Sequence, residues 1–77
     1  MGTWSPASAI AMEKRHIVEG QERVARQNAI VSSHIERGHD RMVARSMEVL
    51  AMFRNSVEQS RERLRCLEQR YGSTPGH

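Results

Sequence analysis

The chain has 77 residues, with 12 Lys and Arg against 9 Asp and Glu, a formal net charge of +3 and one cysteine. That length admits a single domain, and a lone core below roughly 70–80 residues seldom supplies more than about 3–5 kcal/mol. A single cysteine, Cys66, excludes an internal disulfide and fits a reducing compartment, which leaves self-association as the expected staple.

Ser5 followed by Pro6 reads as an N-cap with proline at the first helical position, where its missing N–H costs nothing. The first helix is predicted from about residue 6 to residue 37. Within it Ile10, Ile17, Val24 and Val31 recur every seven residues. Gly20 costs about 1 kcal/mol relative to alanine inside a helix. No proline or turn residue accompanies it, so the helix is expected to continue through it.

Gly38 is the residue best able to take the left-handed conformation that ends a helix, and Asp40 is expected to cap the next one with its carboxylate. The turn is therefore placed at residues 38–40. The second helix is predicted over about residues 41–71, where Val43, Ser46, Leu50, Phe53, Val57, Ser60, Leu64, Leu67 and Tyr71 recur at alternating three- and four-residue steps. Residues 72–77 have the composition of a frayed tail.

A short turn forces antiparallel neighbours. Residues whose numbers sum to 77 then face one another: Ile10 with Leu67, Ile17 with Ser60, Gly20 with Val57, Val24 with Phe53, Val31 with Ser46. The expected fold is all-α, a single domain over residues 1–77. It is a two-helix hairpin with a coiled-coil-like seam.

The apolar surface beside that seam is uneven. Near the turn Ile30, Ile35, Met42, Met47 and Val49 widen the stripe, whereas the open end is flanked by Lys14, His16, Arg61, Arg63 and Arg70. A wide stripe needs further helices to cover it. The five apolar residues are therefore the expected dimer contact, joining two hairpins into a four-helix bundle.

Motifs that carry chemistry are sparse. Glu13 and His16 have the Glu-x-x-His spacing of di-iron bundles, but such a site needs a second pair and two more inward carboxylates, and Glu58 and Glu62 fall off the seam. Glu36 and His39 repeat the spacing only across the turn glycine. The Glu13–His16 pair reads as solvated surface. His39-Asp40 resembles the His-acid pair of phosphorelay kinases, yet it sits in a turn with no ATP-binding segment after it.

Gln27 and His34 occupy seam positions facing Leu50 and Val43, where polar residues set register at a cost in stability. Cys66 has no histidine within a helical turn to act as its base. No catalytic residue, cofactor or metal site is expected.

The pI near 10.0 raises nucleic acid as an alternative partner, with Arg61, Arg63, Arg65 and Arg70 as the contact residues. Glu58, Glu62 and Glu68 are interleaved among them, and Glu19 with Arg23, Glu22 with Arg26 and Arg54 with Glu58 have ion-pair spacing. Neither a secretion leader nor an apolar run near 18 residues is evident. A cytoplasmic protein without membrane contact is expected.

The run His16-Ile17-Val18-Glu19-Gly20-Gln21-Glu22-Arg23-Val24-Ala25-Arg26-Gln27 resembles a family of small uncharacterised proteins of rhizobia and related alphaproteobacteria. The likeness resumes at Gly38-His39-Asp40, at Leu50-Ala51-Met52-Phe53 and at Ser56-Val57. This chain has Arg41-Met42 where that family has threonines, and Ser60 where it often has histidine. The resemblance implies a hairpin in a bacterial cytoplasm and implies no reaction. Sequence alone thus points to a non-enzymatic, homodimeric interaction or regulatory module, with an unidentified protein as any further partner.

Overall fold

In the computed structural model, which describes residues 4–71, helix α1 spans Pro6–Arg37 and helix α2 spans Asp40–Tyr71. The residues read as a tail, 72–77, lie outside the described ones. Each helix is 32 residues long, and they pack on one another as a hairpin.

α1 begins at Ser5, whose extended backbone (φ −134°, ψ 144°) and side-chain oxygen cap the helix. The Ser8 amide donates to Ser5 Oγ at 3.1 Å, satisfying one of the orphan amides of the first turn. Pro6 then holds the first helical position.

The turn is a Schellman motif built on Gly38, at φ 70° and ψ 26°. Its amide donates to the Ile35 carbonyl at 3.1 Å, and the His39 amide reaches back to the His34 carbonyl at 3.0 Å. In this motif an apolar contact commonly joins the residues at the ends of the second bond. Here the rings of His34 and His39 fill that role, their centroids 5.8 Å apart.

The expected cap at Asp40 is corrected by one residue. The His39 carbonyl accepts the Val43 amide at 2.9 Å, so His39 is the N-cap and Asp40 is already the first residue of α2. The Schellman motif fixes His39 directly after Gly38, and the chain resumes its helix from there. Asp40 serves the helix start through its charge, which opposes the positive end of the dipole.

The core is a single narrow seam. Val31, Leu50 and Val57 are its buried apolar residues, and Gly20, Gln27, Ser46 and Ser60 are buried among them. Ile10, Ile17, Val24, Val43, Phe53, Leu64 and Leu67 are half-buried. Tyr71, spaced as a seam residue, is exposed and meets Trp4 edge-on, with ring centroids 5.3 Å apart.

Gly20 explains how the helices come together at mid-length. A β-carbon placed there would lie 2.6 Å from Val57 Cγ2, closer than any real contact. The glycine is thus a packing requirement, and α1 runs through it unbroken.

Candidate interaction surface

Along α1 the seam alternates two kinds of residue. Ile10, Ile17, Val24 and Val31 form one row, while Glu13, Gly20, Gln27 and His34 form the other, each row repeating every seven residues. Opposite the second row stand Leu64, Val57, Leu50 and Val43 of α2. Every small or polar residue of that row therefore faces an apolar one.

Gln27 is 8% exposed, and its Nε2 donates to the Ser46 carbonyl at 2.9 Å. Ser46 in turn returns its hydroxyl to the Val43 carbonyl at 3.1 Å. These bonds tie α1 to the backbone of α2 at one register, as expected of a polar seam residue.

Glu13 departs from the expected solvated surface. Its side chain is only 14% exposed, because it occupies a seam position beside Leu64. Oε2 accepts from Arg63 Nε at 3.0 Å, across the hairpin. Oε1 is buried without a hydrogen-bond partner, with His16 Nδ1 at 3.6 Å. Among the described residues, the other buried side-chain atom without a partner is His34 Nδ1, in the same row of α1. The seven-residue spacing of Gly20, Gln27 and His34, carried back one repeat, was the signal that places Glu13 on the seam.

No group of three or more His, Cys, Asp or Glu side chains among the described residues is placed to hold a metal ion. Cys66 is exposed. It lines an open groove with Trp4, Ala9, Glu13, Arg63 and Leu67.

The arginines proposed as a nucleic-acid contact are mostly engaged. Arg61 pairs with Glu58 at 3.0 Å, Arg65 pairs with Glu62, and Arg63 holds Glu13. These are steps of three along α2 or contacts across the seam. The expected pairs Glu19–Arg23, Glu22–Arg26 and Arg54–Glu58 are not among the ion pairs of the described residues.

Among the described residues nine large apolar side chains stay exposed: Trp4, Met12, Val18, Ile30, Ile35, Met42, Met47, Met52 and Tyr71. Val49 is half-buried. The helical period divides the five residues expected at a dimer contact between the two sides of the hairpin. Ile30, Met42 and Val49 flank the seam on one side. Ile35 and Met47 flank it on the other.

The grooves along the seam agree for Ile30, which lines the one with Phe53 and not the one with Val24. Gln21, Val24, Arg54, Val57, Glu58 and Arg61 line one groove, and Arg23, Arg26, Gln27, Ile30 and Phe53 line another on the opposite side. The chain matches no family model, no curated protein and no solved structure. No helix among the described residues is long and apolar enough to cross a membrane.

Proposed function

We propose that this protein is a non-enzymatic interaction or regulatory module of the bacterial cytoplasm that works as a homodimer, two hairpins forming a four-helix bundle. The observation that carries the reading is the balance of apolar surface. Among the described residues three apolar ones are buried while nine large apolar side chains remain exposed. A hairpin that buries so little and leaves that many apolar side chains open has surface available to a partner. A second subunit would also supply the core that one hairpin lacks.

Gel filtration with light scattering at micromolar concentration tests the assembly. The expected mass is twice the 8.8 kDa of the chain. A folded monomer would remove the homodimer. Affinity capture from the native host at moderate salt tests the interaction role, with a specific co-purifying protein as the expected result.

Nucleic-acid binding is the competing reading, and the pairing of Arg61, Arg63 and Arg65 with carboxylates weighs against it. Binding to duplex DNA that collapses between about 50 and 200 mM salt would favour it, through release of counterions from neutralised phosphates. The protein is expected to show no such binding.

A further inference from the structure

The two flanks of the hairpin differ in charge near the turn. On one flank α1 presents Arg23, Arg26, Ile30, Ser33 and Arg37, and α2 presents Met42, Arg45, Val49 and Met52. None of the four arginines there is in an ion pair among the described residues. On the other flank α1 presents Ala25, Asn28, Ser32 and Ile35, all exposed. Opposite them α2 presents Ala44, Met47 and Ala51, also exposed. No charge interrupts this second patch, which is bounded by Asp40 at the turn and Arg54 one turn beyond Ala51.

The seam itself is asymmetric in the same sense. Its all-apolar rows, with Val24 and Val31 on α1 and Val43 and Leu50 on α2, border the uncharged flank. The groove on that flank is lined by Val24 and Val57. Its mixed rows, with Gln27 and His34 on α1 and Ser46 and Phe53 on α2, border the arginine flank. The groove there is lined by Gln27 and Phe53 together with Arg23 and Arg26.

We infer that a second copy of this chain docks on the uncharged flank, through Ala25, Ser32, Ile35, Ala44, Met47 and Ala51, and that the arginine flank faces solvent. The inference rests on the homodimer proposed above and assigns its surface. A two-fold contact sets one patch against its own copy, so the patch must complement itself.

The arginine flank fails that condition, since copying it brings Arg23, Arg26 and Arg45 toward their own images and strips them of water. The uncharged flank meets it. Three alanines and a serine let helices approach closely, Ile35 and Met47 supply apolar area, and the half-buried edges of Val24 and Val43 would be covered in the same contact.

The experiment compares two matched pairs of substitutions in the full chain. Ala25→Asp with Ala51→Asp places carboxylates in the uncharged patch. Met42→Asp with Met52→Asp places the same charges on the arginine flank, and all four positions are exposed on the hairpin. Light scattering should give a dimer for the wild type and the second variant and a monomer for the first, with helical circular dichroism retained.

A wild-type monomer overturns the homodimer itself. A dimeric wild type whose second variant dissociates, or whose first variant does not, keeps the homodimer and overturns this assignment. Should the first variant unfold, alkylation decides the matter in a Cys66→Ser background. Ser32→Cys should be protected at high protein concentration and become reactive on dilution, while Arg26→Cys should react at one rate throughout. Protection of the Arg26 site instead places the contact on the arginine flank.

Discussion

Gln27 in the turn half and Glu13 in the open half occupy equivalent seam positions two heptads apart, yet they are satisfied in different ways. Gln27 is sealed against the α2 backbone, where its Nε2 donates to the Ser46 carbonyl. Glu13 is held by the side chain of Arg63, itself 53% exposed, and keeps one oxygen unpaired. The turn half thus ties its buried glutamine to the α2 backbone inside the seam and leaves one outer flank, that of Ala25, Ser32 and Met47, without charge. The open half holds its glutamate with surface charge and so keeps water at its edge. This contrast is why a partner is expected at one half and not at the other.

The largest effect that would sharpen the contrast is truncation of the two leucines facing those residues. Leu50, opposite Gln27, is 7% exposed, and Leu50→Ala should cost about 2–4 kcal/mol in chemical denaturation because its surroundings are tied by hydrogen bonds and cannot collapse. Leu64, opposite Glu13, is half-buried, and Leu64→Ala should cost about 1–2 kcal/mol. Equal losses would mean that the open half is packed as firmly as the turn half.

Between the halves lies Gly20. Gly20→Ala gains about 1 kcal/mol of helix propensity, but its methyl would meet Val57 Cγ2, and a β-branched side chain has little freedom to move away. Overpacking costs about 1–3 kcal/mol, so a net loss near 1 kcal/mol is expected. In a Val57→Ala background the clash is gone, and the same substitution should stabilise by about 1 kcal/mol. A double-mutant cycle with no change of sign would show that the helices do not meet at this pair.

The hairpin was legible because its heptad spacing and its turn glycine agree on one register. Gly20 opposite Val57 follows from arithmetic on residue numbers, and the 2.6 Å approach is its structural counterpart. Three features were not legible for physical reasons. Asp40 is chemically the better cap, but backbone bonds from Gly38 and His39 settle where α2 starts. Glu13 is a carboxylate, which reads as surface until the seven-residue row is carried through it. Ile30 and Ile35 both widen the apolar stripe in sequence, and only the packed seam separates the edges that they border.

The smallest expected effects separate three arginines spaced two apart on α2. Arg61 and Arg65 pair with Glu58 and Glu62, carboxylates that are 66% and 62% exposed, and water can replace either guanidinium at once. Arg61→Ala and Arg65→Ala should therefore each change stability by no more than about 0.5 kcal/mol, and salt should erase what there is. Arg63 differs in its partner, since Glu13 is 14% exposed and already leaves Oε1 unbonded. Arg63→Ala would leave a largely buried carboxylate with only His16 nearby, at a cost of about 1–2 kcal/mol. Glu13→Leu should reverse the outcome, because an apolar side chain against Leu64 needs no guanidinium. In that background Arg63→Ala should become as mild as Arg61→Ala. Denaturation midpoints for the three alanine variants, with and without Glu13→Leu, carry the comparison. If Arg63 behaves like its neighbours in the wild-type background, Glu13 is solvated after all, and the open half of α1 has no polar seam residue to set against Gln27.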